Sequence, residues 1–205
     1  MTATASLPTG KRPWLLARCT QVGIALAAIA DVPRAIALRD DQLHPTAASM
    51  HRSGLTSMVY LDVMLVTVVL FLIWFVRGRR TARRFSVDAF HTSDAAAVGS
   101  WLMPLFNLWL PRRLLLEMWQ ATSRDEAERF RGNVVVNAWW VAWAGHVVCL
   151  VGNQLTQDNS LVLLVLAEVL LAVAAVLVIW LIQHVTALQN AALRKLPAAG
   201  PLLPA

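Results

Sequence analysis

The chain has 205 residues, of which 58% are hydrophobic and 15% charged, and it carries a formal charge of +6. That balance excludes an ordinary soluble domain, and the charge does not point to nucleic acid, because the basic residues flank apolar stretches of membrane-spanning length. Sixteen arginines against two lysines read as the coding bias of a GC-rich genome rather than as a functional cluster.

A hydrocarbon core about 30 Å thick takes roughly 20 apolar residues per helix. In chain order, 1–13 reads as a tail and 14–30 as a first, weaker span, interrupted by Arg18 and stopped by Asp31, Pro33 and Arg34. The same stretch also reads as a signal peptide, with Lys11, Arg12 and Arg18 as its basic region and Ala28-Ile29-Ala30 as a cleavage site. Three further spans are clear: 55–76, broken only by Asp62; 134–151, broken only by Asn137 and His146; and 161–182, broken only by Glu168. The expected fold is all-α, an integral membrane bundle of four transmembrane helices forming one domain over 14–193, with 194–205 as a flexible tail.

Ten of the eighteen basic residues lie between Val76 and Val134, and none lies in 152–160. The positive-inside rule therefore expects that loop and both termini in the cytoplasm, in a bacterial inner membrane. Trp14, Trp74, Trp139, Trp140, Trp143 and Trp180 fall in the cytoplasmic halves of their helices, as an interfacial belt would place them. Cys19 and Cys149 then belong to opposite faces, which argues against a disulfide between them.

Between the second and third spans, 95–111 is uncharged but is interrupted by Gly99, Pro104, Asn107 and Pro111. If it spanned, Arg124, Arg129 and Arg131 would face outward, so a broken, re-entrant or interfacial segment over 95–122 on the cytoplasmic side is expected. Pro111 suits the start of an amphipathic surface helix with Leu115, Met118, Trp119 and Thr122 on one face and Glu117 four residues after Arg113. Ser123 and Glu126 read as a capping box for a short polar helix that ends at Gly132.

Several local patterns are distinctive: Phe71-Leu72-Ile73-Trp74-Phe75 leading into Arg77-Gly78-Arg79-Arg80, then Trp101-Leu102-Met103-Pro104, Asn107-Leu108-Trp109-Leu110-Pro111, Met118-Trp119 and Asn137-Ala138-Trp139-Trp140. Together they resemble the actinobacterial membrane family catalogued as domain of unknown function 4328, over roughly Leu65 to Leu193. The resemblance implies a multi-pass membrane protein with no established activity. It departs from the family pattern after Pro111, where Arg112 stands in place of an aromatic residue.

Three sets of residues are candidates for function. Asp62, His146 and Glu168 sit at a similar height in their spans, roughly 18 to 23 Å from the cytoplasmic ends at 1.5 Å per residue. Together they could form a catalytic polar pocket, while the plainer expectation is that the two carboxylates reach water or pair with Arg34, Arg39 or Arg52. Trp101, Pro104, Asn107, Trp109, Pro111 and Trp119 form a candidate interaction surface. Arg77, Arg79, Arg80, Arg83 and Arg84 read first as the orientation signal and second as a patch for lipid headgroups. Asn137 and Asn153 read as hydrogen-bonding links between helices, and His44, His51 and His91 as solvated loop residues. No metal-ligand spacing, Walker loop, nucleophile elbow or dinucleotide fingerprint occurs, so no metal or cofactor is expected. The expectation is a non-enzymatic interaction, scaffold or sensing module that contacts membrane lipids and a membrane or cytoplasmic protein partner. The alternative is a membrane-embedded enzyme or carrier for a lipophilic small molecule, centred on Asp62, His146 and Glu168.

Overall fold

Thirty-two residues form the first helix, α1 (Arg12–Leu43), in the computed structural model, which describes residues 12–86, 92–103, 109–123, 125–155 and 160–195. The helix runs on through Asp31, Pro33 and Arg34, where the sequence predicted its end. Proline removes one backbone hydrogen bond, a loss that membrane helices tolerate, and the two charges lie one turn apart and pair with each other inside the helix. A tight turn follows. Thr46 caps α2 (Ala47–Arg83) reciprocally with Ser49, the Thr46 hydroxyl accepting from the Ser49 N–H at 3.0 Å and the Ser49 hydroxyl from the Thr46 N–H at 2.8 Å.

Two short helices come next, α3 (Asp94–Leu102) and α4 (Leu110–Thr122), and then two long ones, α5 (Glu126–Leu155) and α6 (Leu161–Arg194). No strand occurs among the described residues. Helices α1, α2, α5 and α6 are each long and apolar enough to cross a membrane. Their outer faces carry large apolar side chains such as Leu61, Val148, Val162 and Val176, as lipid-facing helices do. The chain is a helical membrane protein.

Every long helix outruns the span predicted for it, because counting apolar residues finds the hydrocarbon core and not the helix end. At 37 residues α2 is about 55 Å long, well over the thickness of that core. The short polar helix expected to end at Gly132 does not exist as a separate element: α5 passes straight through Gly132 into the third span. Ser123 closes α4 instead, its hydroxyl donating to the Trp119 carbonyl at 2.9 Å. The buried face of α4, which includes Leu115, Met118, Trp119 and Thr122, packs on α2, α5 and α6 rather than on a membrane surface.

Helix α1 packs on α2 and α6, and α5 packs on α6, but α2 and α5 nowhere bring their Cα atoms within 8 Å. Polar links fix the other contacts. Trp74 Nε1 donates to Thr186 Oγ1 at 3.1 Å, Gln189 Nε2 to the Gly78 carbonyl at 2.9 Å, and Gln21 Nε2 to the Ile179 carbonyl at 2.8 Å. Two glycines admit α4. A Cβ on Gly78 would lie 2.8 Å from Met118 Sδ, and one on Gly132 would lie 2.5 Å from the Trp119 ring. The flexible Met118 can yield, whereas the rigid indole cannot without leaving its site. Gly132→Ala should therefore lower the thermal midpoint of the purified protein, at a cost of about 1–3 kcal/mol, while Gly54→Ala, whose Cβ meets nothing within 4 Å, should not.

Candidate functional site

The arginine-rich end of α2 folds inward. Arg79 is fully buried, its Cζ lying 5.7 Å from the centroid of the Phe75 ring. Its Nη2 donates to the Thr92 carbonyl at 2.9 Å, its Nη1 lies 3.6 Å from Glu117 Oε2, and its Nε lies 3.9 Å from Asp94 Oδ1. Asp94 also receives Arg80 Nε and Arg83 Nη2, each at 3.0 Å. It is the first residue of α3, where a carboxylate also suits the helix dipole. Glu117 on α4 takes Arg113 Nε at 2.9 Å, the pair expected from the sequence. A lipid-headgroup role for Arg79 is thus corrected: a guanidinium with no exposed surface ties α3 and α4 to α2. Arg80 and Arg83 share the acidic partner, and Arg80 stays exposed along with Arg77 and Arg84.

Docking α3 carries Trp101 into the gap between α2 and α5. Its ring lies 4.7 Å from Phe71 and 5.5 Å from Phe75, both edge-on, and 6.3 Å from Trp139 on α5. Directly against this wedge is a cavity of about 320 Å³, at the lower end of the range for small-molecule sites. Along α2 it is lined by Tyr60, Met64, Thr67, Val68, Phe71 and Leu72, one helical face; Trp139, Trp140 and Trp143 face them from α5. Ile24, Ala27 and Ala28 of α1, with Leu171, Ala175 and Val178 of α6, complete the wall, and no lining residue is charged.

Three residues of the predicted interaction surface are taken up by this packing. Trp101 is wedged in the bundle and Pro111 is buried; Trp119 is fully buried, stacked on Trp180 and His184, and donates its Nε1–H to the Glu128 carbonyl at 3.0 Å. Trp109, at 60% exposure, faces outward. Pro104 and Asn107 lie outside the described residues.

Asp62, His146 and Glu168 do not share one pocket. Asp62 is exposed on α2 and has no hydrogen bond or ion pair with a described residue. The His146 ring lies with Nδ1 2.8 Å from the Ala167 carbonyl, so that histidine ties α5 to α6. Glu168 lines a separate recess of about 130 Å³ with Arg34, Arg39 and Gln42 of α1 and Asn153 of α5. No group of three or more His, Cys, Asp or Glu side chains suited to a metal occurs among the described residues. Asn137 does link helices, accepting from Arg112 Nε at 2.6 Å.

Two further ionic pairs, neither expected from the sequence, sit beside aromatic rings. Asp31 is fully buried and bonded to Arg34, whose guanidinium lies 4.4 Å from the Tyr60 ring at the far end of the cavity. His184 Nε2 lies 2.6 Å from Glu128 Oε1, within the stack of Trp119 and Trp180. The spacing of Trp180 and His184, one turn apart on α6, is the only local signal for the second pair.

A family model described as Domain of unknown function (DUF4328) matches residues 39–187. The chain belongs to this family. Its matched region runs from the end of α1 to the last turns of α6, and so contains Arg79, Asp94, Trp101 and Glu117 together with all of the cavity wall except the α1 side. No curated protein and no solved structure matches the chain.

The burial of Arg79 sets a contrast within one basic run. Arg79→Ala should strip two carboxylates of their buried partner and cost about 3–5 kcal/mol, read as a lower thermal midpoint, whereas Arg77→Ala and Arg84→Ala should leave the midpoint unchanged within about 0.5 kcal/mol.

Proposed function

We propose that this DUF4328 protein is a non-enzymatic membrane module that binds a lipophilic molecule in the cavity between α2 and α5. The carrying observation is the separation of those two helices around an uncharged, aromatic-lined space of about 320 Å³. Such walls suit a hydrocarbon chain and offer nothing to a charged substrate. His146, bonded to a backbone carbonyl, and Asp62, alone on an outer face, supply no acid–base pair, so the reading is of binding and sensing rather than chemistry. The arginine excess supports placing the α3–α4 end in the cytoplasm of a bacterial cell, where exposed Trp109, Arg77 and Arg84 are available to headgroups or to a protein partner.

Brominated hydrocarbon quenches nearby indoles, and four tryptophans line this cavity. Dibrominated octadecane titrated into the protein in detergent should quench its fluorescence saturably. Ala175→Phe, which fills the cavity from α6, should weaken that saturable phase at least about tenfold, a change of 1.4 kcal/mol, while helix content by circular dichroism stays the same. Quenching that rises without saturation, or that Ala175→Phe leaves untouched, would contradict the reading.

A further inference from the structure

Counted at 1.5 Å per residue from Val76, the last apolar residue before the arginines, Asp62 stands about 21 Å up α2. Roughly 9 Å of a hydrocarbon core about 30 Å thick lies above it. A single methylene carries its carboxyl, too short a reach to bring it to water as lysine and arginine side chains do. Asp62 is exposed and has no hydrogen bond or ion pair with a described residue. In the spans 134–151 and 161–182 no charged side chain is exposed. Charged groups inside a membrane are costly and almost always face other protein, so a carboxyl turned outward calls for a partner.

The residues around it form a seam. Leu55, Val59, Asp62, Val66, Val69 and Ile73 are all exposed and follow one another at alternating steps of four and three, the heptad period of paired helices. Val59, Val66 and Ile73 take the a positions, where β-branched side chains suit parallel two-stranded packing, and Asp62 takes a d position near the middle. The seam lies two residues out of step with the cavity-lining Tyr60, Met64, Thr67 and Phe71, which at 3.6 residues per turn is the opposite side of α2.

We propose that α2 pairs through this seam with α2 of a second copy of this chain, the two Asp62 carboxyls meeting at the two-fold axis. A carboxyl group can donate through its O–H and accept through its other oxygen. Two copies of Asp62, one of them protonated, therefore satisfy each other where a two-fold axis brings a residue against itself. The other seam residues are apolar and ask for no second kind of side chain. Both copies have the same orientation in the membrane, and their cavities face away from the pair.

The test is energy transfer between full-length chains labelled at the C-terminus with donor or acceptor, in vesicles of phosphatidylethanolamine and phosphatidylglycerol, as the protein is diluted in lipid. Transfer should saturate with protein density as a dimer forms. Asp62→Leu, at a position that packs on nothing within the chain, should raise the midpoint density about tenfold. Asp62→Asn keeps a donor and an acceptor and should leave the midpoint where it is. Oxidative cross-linking locates the face. In a chain carrying Cys19→Ser and Cys149→Ser, Val59→Cys should give a disulfide-linked dimer, whereas Val148→Cys, exposed at a similar height on α5, should not. If Asp62→Leu leaves transfer unchanged, if Asp62→Asn weakens it as much, or if Val148→Cys cross-links in place of Val59→Cys, the pairing through this seam is overturned. A chain that stays monomeric at every density overturns it as well, and leaves Asp62 to a helix of another protein or to lipid alone.

Discussion

A guanidinium with no exposed surface is tolerable only where its charge is answered, and at Arg79 the answering carboxylates come from two other helices. Asp94 begins α3 and Glu117 lies in the middle of α4, so satisfying one side chain folds both short helices back on the bundle. A run of five arginines that reads as a solvated patch thereby becomes a docking point. Around it the steric details agree: Met118 approaches Gly78, Trp119 approaches Gly132, and Arg112 reaches Asn137. Each would be unremarkable alone, and together they leave α4 one position.

The clasp matters for what it does to Trp101. In lipid, apolar side chains gain little by leaving hydrocarbon for one another, so helices close a gap only where packing or hydrogen bonds draw them together. Links of that kind join α1 to α6, α2 to α6 and α5 to α6. None of the described residues draws α2 to α5, and the tryptophan carried in by α3 holds them apart. The resulting space is defined by large rings, from Phe71 to Trp143, that bridge a separation smaller side chains would leave open. Function on this account resides in a gap that the fold props open.

Much of this was legible in the sequence. Apolar runs mark all four long helices, proline and the arginine excess point to a broken, re-entrant or interfacial segment between the second and third, and the pattern on α4 gives its buried face with the correct residues but assigns it to the membrane surface. Position along a helix could be counted, whereas rotation about it could not. Asp62, His146 and Glu168 fall at one height by that count, yet Asp62 stands two residues from Tyr60 on a helix with 3.6 residues per turn, which turns it away from the cavity face. Nothing local separates buried Arg79 from exposed Arg77, because the difference is made by Asp94 and Glu117, remote in the chain. Asp31 reads as a helix stop because its partner Arg34 becomes visible only once the helix continues past Pro33. The pairing of Glu128 with His184 spans 56 residues and has no sequence signature strong enough to find it.

The most direct measurement is an electron cryomicroscopy map, at side-chain resolution, of the protein extracted in nanodiscs with its native lipid. The account predicts Arg79 enclosed by Asp94 and Glu117, Trp101 between α2 and α5, and an elongated non-protein density along α2 from Tyr60 to Phe71. Helices α2 and α5 packed directly against each other, with α3 and α4 lifted from the bundle and no space between, would contradict it.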